Sequence, residues 1–261
     1  VENNLLNQLF RLDGKVAVVP GGYGGIGEAV CRGLAAVGAS VAVAGRDRTK
    51  AQALADALHA QGYTARGFAF DAGVVHDIHA MVDAAAQHFG RVDILVNCIG
   101  LNREQKALDI SEEMFDYVYS ANLKSALFLA QAAAKHMIAQ GGGKQIHLGS
   151  VRTMLGLRGR GYAAYCAAKG GLGTMCKQLA AEWAPHNINV NVIAPTFVRT
   201  EQVANMLSDK QFYETLTARI PLGRVAEPEE VMHAALFFAS PASNFITGQT
   251  LYLDGGITAT Q

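Results

Sequence analysis

The sequence predicts an α/β fold: one domain built on a doubly wound sheet of seven parallel strands. Three observations carry this. Short apolar runs alternate with longer helix-spaced segments from Lys15 nearly to the end, a glycine cluster joins the first run to the first helix, and half the residues are apolar against 17% charged. Strands covered by helices on both faces read as continuous apolar runs rather than alternating ones.

In chain order, strand 16–19 is Val-Ala-Val-Val and feeds a helix over 26–37. Strand 41–44 leads to a helix over 49–59, strand 67–70 to a helix over 75–89, and strand 94–96 to a long helix over 115–138. Strand 145–148 precedes a helix over 162–183; strands 190–193 and 251–253 complete the set. Each helix carries apolar residues at three- and four-residue spacing and is long enough to cross back over the sheet. No Pro/Gly/Ser-rich linker divides residues 1–261, and Gly141 to Gly143 make a turn. Residues 200–224 form a polar excursion of the length seen in substrate lids.

Charge excludes some classes of function. Lys and Arg balance Asp and Glu at 22 each, so no net positive field gathers nucleic acid. The longest apolar stretches, such as 126–134 with Gln131 inside, fall short of the ~20 residues that span a bilayer. Residues 1–15 lack the basic head and apolar run of a secretory signal, which points to the cytoplasm. Cys31, Cys98, Cys166 and Cys176 form no C-x-x-C pair and read as reduced, buried thiols, with no metal expected.

The chemistry begins at Val19-Pro20-Gly21-Gly22-Tyr23-Gly24-Gly25-Ile26-Gly27, where a strand passes through glycines into a helix. That context suits the phosphates of a dinucleotide, which meet free amides and the positive end of the helix dipole. Two registers fit: Gly22, Gly24 and Gly27 as G-x-G-x-x-G, or Gly21, Gly25 and Gly27 as G-x-x-x-G-x-G. Tyr165 and Lys169 lie four apart in a helical stretch, so phenol and ammonium share one face. A fixed cation favours phenolate, which suits an acid/base role. Ser150 follows a strand, where carboxyl ends surround the ligand crevice, and its hydroxyl can hold a substrate oxygen. Tyr162 has no such lysine and reads as a pocket wall.

Together these motifs resemble the short-chain dehydrogenase/reductase family over 12–256, in the family's order. The resemblance selects the register of Gly21, Gly25, Ile26 and Gly27 and implies a Rossmann-type domain that moves a hydride between a nicotinamide and a carbonyl/alcohol pair. It implies a tetrad of Asn122, Ser150, Tyr165 and Lys169. Tyr165 would exchange the proton, Ser150 steady the oxygen, Lys169 hold the nicotinamide ribose, and Asn122 keep a proton-carrying water. Coenzyme contacts would come from Gly21, Tyr23, Gly24, Gly25, Ile26 and Gly27, from Arg46, Asp71 and Ala72 near the adenosine, and from Asn97 and Gly100. Tyr165, Lys169, Pro195, Val198 and Thr200 would hold the nicotinamide end.

The sequence departs from the family pattern at Pro20 for threonine, at Cys98-Ile99 for Asn-Ala, and at Thr196 for glycine; Pro20 loses a donor and a hydroxyl that would tie the first loop to the Asn97 turn. Gly45 stands where NAD-specific relatives carry an acid, and Arg46 follows it, so NADP(H) is the preferred coenzyme and NAD(H) the second. Gly24 in place of a second basic residue, and Asp47 near the ribose, argue the other way. Overall similarity points to sugar-acid and polyol dehydrogenases of the gluconate 5-dehydrogenase kind, with a 3-ketoacyl reductase second. Arg152, two residues past Ser150, is a candidate for a substrate carboxylate against a plain solvated arginine. A homotetramer is implied by the family. Two rivals are a dinucleotide-sensing protein without catalysis and an epimerase of the extended branch; the intact tetrad and the cradle spacing count against them.

Overall fold

The computed structural model describes residues 9–260, so the first eight residues of the stretch read above for a secretory signal lie outside the described residues. Seven strands, β1 (Val16–Pro20), β2 (Ser40–Gly45), β3 (Ala65–Ala69), β4 (Ile94–Asn97), β5 (Gly143–Leu148), β6 (Ile188–Pro195) and β7 (Thr250–Leu253), make one sheet. Its order is β3-β2-β1-β4-β5-β6-β7, with every pair parallel. The order reverses between β1 and β4, and ligands of such sheets bind in the crevice outside the carboxyl ends at that point.

The helices are α1 (Gly25–Ala36), α2 (Arg48–His59), α3 (Val75–Phe89), α4 (Glu112–Tyr119), α5 (Ser125–Ala139), α6 (Ala163–Trp183), α7 (Ala204–Ser208), α8 (Lys210–Thr217) and α9 (Pro228–Ala239). Neighbouring strand residues point to opposite faces. Val19, Val41 and Val43 therefore pack with Val30 and Leu34 of α1, Leu58 of α2 and Val231 of α9. Val18, Leu95 and Val190 pack on the other side with Ile78 of α3, Leu129 of α5 and Leu172 of α6. Each such side chain withdrawn from water stabilises the fold by roughly 1.5–3 kcal/mol.

Local chemistry sets the helix ends. Asp47 caps α2 by accepting from Lys50 N at 3.1 Å, Ser111 caps α4 by accepting from Met114 N at 3.2 Å, and Gly90 ends α3 at φ 82°. α9 was not among the helices read from the sequence, although its signature is present. Pro228 occupies its first turn, and Glu230 reaches back to accept from Glu227 N at 2.9 Å.

Two expectations change in detail. The helix read over 115–138 is α4 and α5 joined by a π-helical turn, Ser120–Lys124. The third strand begins two residues earlier than the apolar run, because Ala65 and Arg66 pair with β2. The excursion at 200–224 folds as α7 and α8, seated on the sheet end through Val151, Leu216, Ile220, Val225 and Ile257. Among the described residues no helix is long and apolar enough to cross a membrane.

Candidate active site

At the carboxyl end of β1 the chain must turn sharply and then start a helix. Gly21 makes the turn at φ 77°, and its N and that of Gly22 donate to Ala44 O at 2.8 and 3.1 Å. A Cβ at Gly27 would stand 2.1 Å from Gly21 O, so only glycine closes the loop this tightly. Gly21, Gly24, Gly25, Ile26 and Gly27 line a cavity of about 400 Å³, whereas Gly22 is turned against Val19 O and Cys31. The loop thus presents the register of Gly21, Gly25 and Gly27. Gly24 precedes α1 with no capping side chain, which leaves first-turn amides to an anionic ligand. These features fit a pyrophosphate. The loss of a tie at Pro20 is made good: its carbonyl accepts from Cys98 N at 2.9 Å, and Asn97 Oδ1 accepts from Ile99 N at 3.0 Å.

Three elements bring the tetrad candidates together, Ser150, Tyr165 and Lys169 lining the same cavity and Asn122 lying behind its wall. Ser150 lies two residues past the end of β5 and accepts from Arg152 N at 3.2 Å. Tyr165 and Lys169 project from the first turns of α6, with Lys169 Nζ 5.8 Å from the Tyr165 ring centre and donating to Leu148 O at 2.7 Å. Asn122 sits in the π-turn, which frees Val118 O; Asn122 Nδ2 donates to that oxygen at 2.8 Å and to Leu101 O at 2.7 Å. A Cβ on Gly100 would lie 3.3 Å from Lys169 Nζ and 3.4 Å from Asn122 Oδ1, so these three residues converge.

Burial sets the charges. It pushes the Tyr165 phenol up to about 12, partly offset by hydrogen bonding with Ser150 and by the Arg152 guanidinium. It also pulls the Lys169 ammonium down to about 8. Burial thus favours the protonated phenol of Tyr165, and Arg152 is the cation that opposes this shift. Lys169 approaches the phenol through its ring face.

Residues 21–258 match the family model described as Enoyl-(Acyl carrier protein) reductase. The chain is 39% identical over 248 residues to a 2-dehydro-3-deoxy-D-gluconate 5-dehydrogenase of Escherichia coli (strain K12), covering 95% of this chain and 96% of that one. The D-threitol dehydrogenase of Mycolicibacterium smegmatis is 39% identical, with 95% of each chain covered. The chain belongs to the short-chain dehydrogenase/reductase family. A crystal structure of a gluconate 5-dehydrogenase from Burkholderia cenocepacia J2315 in complex with NADP and tartrate superposes with a TM-score of 0.94 at 36% identity, covering 98% of this chain and 100% of that one. The protein is accordingly an NAD(P)-dependent oxidoreductase.

Within this short-chain dehydrogenase/reductase, Gly100, Ser150, Tyr165, Lys169, Pro195, Val198 and Thr200 line the cavity with the glycine loop. Asn122 meets its wall through Leu101. Tyr23, Arg46, Asp71 and Ala72 lie outside it at the carboxyl ends of β1 to β3, along the path a dinucleotide would follow from the loop. Asn97 is turned inward, buried beside His147, and shapes the turn. Arg152 is not a solvated loop arginine: it is 6% exposed and lines the cavity. Tyr162 also lines it, edge-on to Tyr165 at 6.1 Å. Glu201, Gln202 and Val203, within the excursion read as a lid, border the cavity, whereas Leu101, Asn102 and Phe197 were not anticipated. Phe197 lies between the expected contacts Pro195 and Val198, but nothing local signals which residues of a loop face inward. The cysteine reading needs amendment as well: all four are free, but Cys98 and Cys166 are partly exposed.

Proposed function

We propose that the protein is an NADP(H)-preferring dehydrogenase/reductase for a secondary alcohol or ketone on a sugar acid or polyol. The carrying observation is the meeting of Ser150, Tyr165 and Lys169 in one cavity, with Asn122 behind its wall and an uncapped helix start beside it. The bound nicotinamide dinucleotide supplies the hydride acceptor or donor. The loop of Gly21, Gly24, Gly25 and Gly27 holds its phosphates, Lys169 its nicotinamide ribose, and Arg46 the adenosine end.

Ser150 fixes the reacting oxygen by a hydrogen bond, and Tyr165 gives that oxygen its proton during reduction and takes it during oxidation. Lys169 Nζ and Asn122 Oδ1 converge beside Gly100, and Asn122 keeps the water that carries the proton on towards solvent. Residues 200–224 act as the lid, since Thr200, Glu201, Gln202 and Val203 already border the cavity. Four unpaired cysteines support a reducing, cytoplasmic setting, and the assembly is a homotetramer.

Tyr165→Phe tests the assignment. It removes only the hydroxyl, so kcat should fall at least a hundredfold or so while NADPH binding, read by fluorescence titration, is retained. Near-normal kcat would refute it. The matched family's description favours a second reading, reduction of a carrier-bound acyl chain. A panel of aldonates, alditols, 3-ketoacyl thioesters and 2-enoyl thioesters, run with both coenzymes in both directions, separates the two.

A further inference from the structure

Arg152 is the one buried arginine among the described residues, and it has no acid to neutralise it. Six other arginines pair with carboxylates, and all six have side chains at least 31% exposed. Removing a guanidinium from water without a counter-charge is costly, and a protein sustains it where a ligand supplies the charge. The single acid lining the cavity, Glu201, is exposed and forms no ion pair with Arg152.

The side chain is also held in a defined pose. Its Nη1 donates to Leu155 O at 3.1 Å and to Gly156 O at 2.5 Å. Its backbone N donates to Ser150 Oγ, which ties the arginine to the residue that fixes the reacting oxygen. Nε and Nη2 make no hydrogen bond among the described residues, and neither is sealed from solvent. That free edge is the two-pronged face that matches a planar carboxylate. The guanidinium acts on Tyr165 and Tyr162 through space, and Arg219 adds positive charge from the lid side, so the anion-seeking group borders the reacting centre.

We propose that Arg152 anchors the substrate's carboxylate through Nε and Nη2, and that the substrate is a polyhydroxy acid rather than a neutral polyol. This rests on the reading of the cavity as the oxidoreductase site. The relatives act, by their names, on both kinds of molecule, and this residue makes the choice between them.

The test compares C4 to C6 aldonates with their alditols on the wild type, Arg152→Gln and Arg152→Lys, with NADP+ and NAD+. The wild type should oxidise an aldonate, and the ratio of kcat/KM for acid over alditol should fall at least about thirtyfold in Arg152→Gln. Arg152→Lys, which keeps the charge and loses the fork, should fall in between. Calorimetric titration of D-gluconate and of tartrate into the NADPH complex gives a readout independent of turnover: both should bind the wild type and weaken in Arg152→Gln. If alditols alone are turned over, or if acid and alditol suffer equally from the substitution, the anchor is wrong while the oxidoreductase reading stands. A wild type that oxidises neither class but reduces a ketoacyl thioester would overturn the reading of the substrate together with the anchor. Preference for a sugar phosphate over the aldonate would replace the carboxylate by a phosphate.

Discussion

Tyr23 lies so close over Gly45 that a Cβ there would be 2.3 Å from its ring. Its hydroxyl accepts from Asp47 N at 3.0 Å, and the Asp47 carboxylate is engaged in capping α2. The acid that seemed able to reach a ribose is thus occupied, and the space an acid at residue 45 would need is filled by an aromatic ring. Arg46 is exposed and without an ion pair among the described residues, and under the proposed NADP(H) preference it would meet the 2′-phosphate. Arg46→Ala should lower the ratio of kcat/KM for NADP(H) over NAD(H) by about tenfold or more, as loss of a charge-assisted bond does; an unchanged ratio in steady-state assays would remove Arg46 from this role. The position of Gly45 and Arg46 was legible because they adjoin a recognisable strand end. Tyr23 closing over them was not, because that contact joins residues 22 apart.

The strand ladder was readable because burial on both faces leaves so few polar choices. β5 breaks that rule with two inward polar residues, Gln145 and His147, both 1% exposed or less. Asn97 Nδ2 lies 3.4 Å from His147 Nδ1, while His147 Nε2 has no partner among the described residues. Burial, reinforced by the Lys169 cation, pulls the His147 imidazole down to about 4. In the unfolded chain it takes up a proton near 6.5, so between those values only the unfolded state binds it. Its effect on stability is absent above about pH 6.5 and grows as pH falls, reaching a loss of up to about 3 kcal/mol near pH 4. Thermal melts at pH 7 and 4.5 should show a smaller fall in Tm for His147→Gln than for the wild type, and equal falls would rule this out. The helix α9 and the π-turn escaped the apolar count for different reasons. The first had its signal in Glu227-Pro228-Glu229-Glu230, which periodicity alone does not weigh. The second keeps helical periodicity on either side, so composition sees one helix where there are two.

Taken whole, the architecture was the most legible part, since alternation, strand count and glycine cradle constrain one another. The inward faces of the loops were the least legible, because packing against Val151 and Ile257 rather than local sequence turns 200–224 over the cavity. Assembly belongs to this scale too. Phe115 and Tyr119 stack on the outer side of α4, and Leu127, Ile138 and Leu251 are exposed on α5 and β7, which with α6 are the elements proposed to build a tetramer. Light scattering at micromolar concentration should give four times the 27.6 kDa chain mass; a monomeric mass would contradict it. The π-turn, finally, has a meaning in terms of the gene. It accommodates one residue more than an α-helical turn, the equivalent of a single inserted codon. Deleting one codon within 120–124 would let the helix wind on as an ordinary α-helix, with the residues after it still in register. The buried row of Ala126, Leu129, Ala130, Ala133 and Met137 would keep its seat, while Asn122 lost the free Val118 carbonyl that holds it. The extra residue therefore opens a place for the site and leaves the core undisturbed.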